Sequence, residues 1–156
     1  VFKISIVESQ SIIREGLSAL LSKQVGFDII SSHVDFIGLL READSLQPDV
    51  VFIGLNTVGV NEIRAIEKIK MQFANVKILI FSTNYHEECI RCAFRAGVHG
   101  YLHKDSTPTQ LCNAVKTVTK GRFYLSTTIL PIVLNCFVHC VNRSHSAGNT
   151  NPTIRT

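Results

Sequence analysis

Apolar positions along the chain fall into two alternating patterns. Five short runs rich in apolar and β-branched residues stand out: Phe2 to Val7, Phe27 to Ser32, Val50 to Ile53, Val76 to Phe81 and Gly100 to Leu102. Runs of this length and near-continuous hydrophobicity predict parallel strands covered on both faces. Between them the apolar residues recur at helical spacing. Ile12, Ile13, Gly16, Leu17, Leu20 and Leu21 share one face of a first helix. Phe36, Leu39, Leu40 and Ala43 mark a second, with Asp35 placed to cap it. Ile63, Ile66 and Ile69 mark a third, and Ile90, Ala93 and Phe94 a fourth. Leu111, Ala114, Val115 and Val118 mark a fifth, which opens on Thr107 and Pro108 and closes at Gly121.

Five strand–helix alternations predict a doubly wound three-layer α/β/α sandwich. Right-handed crossovers leave the flavodoxin-like order 2-1-3-4-5 as the natural arrangement of its five-stranded parallel sheet. In such sheets the functional crevice opens at the carboxyl ends of the strands. Glu8 to Gln10, Gly54 to Gly59, Ser82 to Asn84, and His103 with Lys104 fall there. Beyond Gly121, Arg122 to Ser126 reads as a short extended link, and Thr127 to Val141 as a sixth helix that tolerates Pro131 in its first turn. Asn142 to Thr156, rich in Asn, Ser, Thr and Gly, reads as a linker or tail. The expected organisation is therefore a domain over 1–126, an apolar helix over 127–141 and a tail over 142–156.

Composition narrows the function. At 156 residues, 46% hydrophobic and 18% charged, the chain can bury a substantial core. Its net charge of +4 comes from scattered Lys and Arg without interleaved aromatics, so charge does not predict a nucleic-acid groove. No apolar stretch has the length of a membrane span and no secretory signal pattern leads the chain. Five cysteines, an odd count, favour free thiols in a reducing compartment, and a cytoplasmic location is expected.

Four stretches carry a resemblance: IVESQSIIREGLSALL (Ile6 to Leu21), QPDVVFIGLNTVG (Gln47 to Gly59), ILIFSTNYHEE (Ile78 to Glu88) and RAGVHGYLHKD (Arg95 to Asp105). In order and spacing, over about residues 2 to 126, the chain resembles the CheY-like receiver domains of NarL/FixJ-type response regulators. The resemblance implies a regulator of transcription, with DNA contacted through a helix-turn-helix domain outside this chain. It also implies homodimers, which in that family use the first and fifth helices or the face of helix four, strand five and helix five. Receivers of this kind take a phosphoryl group from a histidine kinase onto an Asp ending strand three. A divalent cation is held by that Asp and by an acidic pair after strand one. On this pattern Ser82, Tyr101 and Lys104 occupy the hydroxyl, switch-aromatic and lysine positions.

The acidic positions depart from the pattern. Glu8 retains one member of the pair, Ser9 replaces the other, and Gly54 stands where the acceptor Asp is expected. Glycine offers no nucleophile, and Mg²⁺ is ordinarily bound through one or two carboxylates with water and phosphate. Asp49 falls at the wrong end of strand three, and Asn56 is no nucleophile. Glu8, Ser9, Gly54, Asn56, Ser82 and Lys104 thus predict a degenerate phosphorylation pocket, with no catalytic residue set, no cofactor, no metal and no kinase phosphotransfer. A Glu8–Lys104 ion pair is expected to fill it. The emptied pocket also leaves open a stand-alone module that binds a partner or a small ligand.

Cys89 and Cys92 form a CxxC on the fourth helix and leave open a thiol-based switch. Cys136, His139 and Cys140, with His145 further on, lack the second pair of a zinc site, and cysteines in an apolar stripe behave as small hydrophobes. The stripe of Ile129, Ile132, Val133, Cys136, Phe137, Cys140 and Val141 needs a cover. It is expected either to dock on its own domain or to form an interface.

Overall fold

The computed structural model describes residues 1–42 and 44–149, with residues 140 and 144–149 described by their backbone alone. In chain order the elements are β1 (Phe2–Val7), α1 (Ser11–Ser22), β2 (Phe27–His33), α2 (Phe36–Arg41), β3 (Val50–Leu55) and α3 (Val60–Gln72). They continue with β4 (Lys77–Ser82), α4 (Glu87–Ala96), β5 (Gly100–His103), α5 (Pro108–Thr119), β6 (Tyr124–Leu125) and α6 (Leu130–Asn149). The strands make one all-parallel sheet in the order 2-1-3-4-5-6. The doubly wound sandwich and the 2-1-3-4-5 order expected from the apolar pattern are present.

Local chemistry explains the helix boundaries. The Asp35 carboxylate accepts the Gly38 N–H at 2.9 Å and starts α2. Thr107 and Gln110 form a reciprocal box at the head of α5, at 3.2 and 2.8 Å, with Pro108 in its first turn. Gly121, at φ +81°, supplies the left-handed turn after α5 that lets the chain reverse. α2 closes at Arg41; Ala43, assigned to its stripe from the sequence, lies outside the described residues.

Each face of the sheet carries its own core. α1 and α5 lay Leu17, Leu21, Leu111, Ala114, Val115 and Val118 on one face. On the other, Leu39 of α2, Ile66 and Ile69 of α3, and Ile90 and Ala93 of α4 pack against Val51, Ile53, Ile78 and Ile80. At roughly 1.5–3 kcal/mol per large apolar side chain, these two layers dominate the stability of the fold.

Two departures from the expected organisation concern the C-terminal part. The link read over Arg122 to Ser126 contains β6, which extends the sheet to six strands: Tyr124 pairs with Gly100 and Leu125 with Tyr101. Gly100 makes the approach possible, because a Cβ there would stand 2.9 Å from the Tyr124 carbonyl oxygen and 2.4 Å from Leu79. The chain then passes from the α5 face to the opposite face, where Ile129 is completely buried and Ile132 and Val133 pack on the same core as α4. The helix that follows runs to Asn149, past the Asn142 boundary where the sequence suggested a tail. Helical backbone hydrogen bonding there outweighs the polar composition that suggested a coil. Residues 150–156 lie outside the described residues.

Candidate functional site, a pocket filled from within

The parallel register assembles the pocket. Val7 pairs with Ile53, so the next residue, Glu8, arrives beside Gly54. Leu55 pairs with Ser82 and Ser82 with His103, so Lys104 completes the row at the carboxyl ends of the strands. The structure thus brings together Glu8, Gly54, Asn56, Ser82 and Lys104, while Ser9 is turned to solvent.

Glu8 controls the space. Its side chain is 2% exposed, and a Cβ built on Gly54 would stand 1.5 Å from Oε2 and 2.7 Å from Cδ. The Glu8 carboxyl group therefore occupies the volume in which any side chain at position 54 would begin. Oε1 accepts the Gln10 N–H at 3.2 Å and lies 3.7 Å from Lys104 Nζ. Lys104 Nζ also donates to Asn56 Oδ1 at 3.1 Å, which clamps the lysine between β1 and the β3 exit. Arg14 Nη1 donates to the Glu8 carbonyl at 2.8 Å and fixes the backbone from α1. Oε2 is buried with no hydrogen-bond partner among the described residues, as expected of an oxygen aimed into space that a neighbour's side chain has vacated. The ion pair expected from the sequence is present; the bond to Asn56 was not foreseen.

Such a pocket does not fit the divalent cation that receivers ordinarily hold. Among the described residues no three His, Cys, Asp or Glu side chains converge as a metal site. The one carboxylate here is turned toward Lys104, and oxygen ligands from residues 9 and 54 are reduced to an exposed hydroxyl and nothing.

Behind the pocket, Ser82 is fully buried and its Oγ accepts the Asn84 N–H at 3.0 Å. Tyr101 is also fully buried, and its hydroxyl donates to the Asn84 carbonyl. Burial pushes the Tyr101 phenol up to about 12. Both side chains thus grip one residue of the β4–α4 loop. Next to it Tyr85 stacks on His103, with ring centroids 4.4 Å apart, and its hydroxyl donates to the Ser82 carbonyl at 3.2 Å.

The sequence profile of the response regulator receiver domain matches residues 4–116. The chain belongs to that family. It is 30% identical over 154 residues to the oxygen regulatory protein NreC of Staphylococcus carnosus, covering 98% of this chain and 70% of NreC. It is 27% identical over 130 residues to the nitrate/nitrite response regulator NarL of Escherichia coli K12, covering 83% of this chain and 60% of NarL. The chain thus spans about two thirds of the length of these relatives. Among solved structures, a LuxR-family two-component response regulator from an Aurantimonas species superposes with a TM-score of 0.79 at 28% identity. That match covers 88% of this receiver and 99% of the other chain.

The remaining candidates are dispersed. Cys89 and Cys92 are half-buried on α4; Cys89 packs on the core, and the Cys92 thiol donates to Glu88 Oε1 at 3.5 Å. Burial, then the Glu88 carboxylate, push the Cys92 thiol up, which opposes the thiolate a redox switch needs. Cys136 is buried and its thiol lies 3.5 Å from Glu87 Oε1, while His139 is exposed. The side chains of Cys140 and His145 lie outside those described.

The apolar stripe of α6 needs correction as an interface. Ile129, Ile132, Val133 and Cys136 are turned inward against α4 and the core, because docking there covers them without a partner. Phe137 stays 67% exposed.

Proposed function

We propose that this receiver works without aspartyl phosphorylation, as the regulatory part of a DNA-binding response regulator that acts through protein–protein contact and dimerisation. The observation carrying this reading is the Glu8 carboxyl standing in the space of a residue-54 side chain. With the acceptor replaced by glycine, no side chain at that place can attack a phosphoryl donor. With Glu8 committed to Lys104, the lysine that would contact an incoming phosphoryl group already has its anion. The pocket is internally neutralised, and the Ser82–Asn84–Tyr101 arrangement holds the β4–α4 loop against the buried phenol without an external trigger. In this reading output depends on abundance and on partners. By the same reading DNA is contacted through a helix-turn-helix domain outside this chain, which spans 60% of NarL and 70% of NreC.

The test is direct. After incubation with acetyl phosphate, or with beryllofluoride and Mg²⁺, intact mass and sedimentation should be unchanged. An acid-labile mass gain of one phosphoryl group, or a Mg²⁺-dependent change in oligomeric state, would overturn the reading.

A further inference from the structure

The helix α6 has two apolar faces, and the fold uses only one. Ile129, Ile132, Val133 and Cys136 face α4 and the core. On the other side Leu130, Leu134, Phe137 and Val138 are 40%, 54%, 67% and 52% exposed. At 100° per residue these four positions fall within an arc of about 100°, along roughly 12 Å of helix. They form a continuous stripe rather than scattered surface hydrophobes. Beside it runs a groove of about 190 Å³ between α4 and α6, lined by Ile90, Arg91, Phe94, Val133, Cys136 and Phe137. It is large enough for one large apolar side chain.

We infer that this stripe and groove are the seat of a second copy of the chain, joined across a two-fold axis along α6. The inference rests on the dimerisation proposed above and names its face. Charge selects the occupant. From Thr127 to Asn142 the sequence holds no Asp, Glu, Lys or Arg, so the stripe offers a charged partner nothing to pair with. Another charge-free apolar stripe fits it, and each copy carries one. Arg91, the charged residue at the groove, is already paired with Glu88.

Geometry is also self-complementary. Phe137 lies at the border between stripe and groove, so a two-fold operation places each Phe137 against the other copy's groove. Two stripes remove on the order of 800 Å² from water, below the roughly 1,200–2,000 Å² of a stable interface. The two grooves add little beyond that, so the total stays below that range. The expected dimer is therefore weak, forming at the upper end of the micromolar range without a phosphoryl donor.

Sedimentation equilibrium of the 156-residue chain between 1 and 100 μM tests this. Phe137→Glu and Leu134→Glu should each weaken the dimer tenfold or more, because each forces a charge into the apolar contact. Both sites are more than half exposed, so the urea midpoint of the dilute monomer should hold and report that folding is intact. Ile12→Glu, at a site 83% exposed on α1, should leave the dimer unchanged. A dimer indifferent to both α6 substitutions, or lost with Ile12→Glu, would overturn the α6 face and leave dimerisation standing. A monomer at 100 μM would overturn both while leaving phosphorylation independence untouched.

Discussion

Replacing Gly54 by Asp restores the residue type that receivers carry at this position, yet it should not restore a receiver. The backbone is no obstacle, since Gly54 has no positive φ. The obstacle is Glu8. Real Cβ contacts essentially never fall under 3.0 Å, and here Cβ would begin 1.5 Å from Glu8 Oε2, so the carboxylate must retreat by about that difference. Forced repacking of a buried group costs about 1–3 kcal/mol. The retreat also places two carboxylates within about 4 Å of each other, which at an effective dielectric of 20 repels by about 4 kcal/mol if both are ionised. Lys104 offsets part of that by facing both, and the gain of any side chain over glycine in a strand returns roughly 0.5–1 kcal/mol.

The net expectation is a loss of about 2–4 kcal/mol at neutral pH, read as a fall in the urea midpoint at unchanged slope. The sign of its pH dependence follows from the repulsion. Two crowded carboxyl groups bind a proton more tightly folded than unfolded, so the penalty grows as pH rises above the ordinary carboxylate range and is smaller at pH 5 than at pH 8. Glu8→Ala with Gly54→Asp vacates the space and should recover at least about 1 kcal/mol relative to the single Asp variant, a coupling measurable by a double-mutant cycle. A Gly54→Asp variant as stable as the parent, or one phosphorylated by acetyl phosphate with Glu8 in place, would show that Glu8 moves aside freely. The filling argument would then be wrong.

Alkaline stability should report the buried Tyr101. Its phenol is raised from 10 to about 12, so the unfolded chain releases its proton first. The stabilisation is complete below pH 10 and falls as pH rises through 12, by about 2–3 kcal/mol. Tyr101→Phe should flatten that decline in urea titrations between pH 9 and 12; Tyr124, whose burial also raises it, keeps the remainder. An unchanged slope would mean that Tyr101 is not held neutral by burial. Ile129→Ala should cost about 2–4 kcal/mol, because the side chain is completely buried where the chain enters α6. A loss under about 1 kcal/mol would show that α6 does not dock on the core.

Much of this protein is written in its sequence because the determining signals are local. The strands are short, near-continuous apolar runs, the helical stripes repeat every 3.6 residues, and Asp35, Thr107 with Pro108, and Gly121 act on their own neighbours. Sequence also placed Glu8, Gly54, Ser82 and Lys104 in one pocket, since the ends of parallel strands in a doubly wound sheet must meet. Tertiary structure decided what no local signal encodes. That Glu8 fills the volume at Gly54 depends on the β1–β3 register, which sets two residues 46 positions apart side by side. That Asn56 holds Lys104 depends on loop geometry. The sixth strand exists because Gly100 lets Tyr124 approach, a short pairing whose signal is carried by the partner strand. The division of α6 into a docked and an outward face was likewise invisible in one dimension. Its apolar residues run around more of the helix than a single buried face requires, and only the placement of α4 determines which of them are covered.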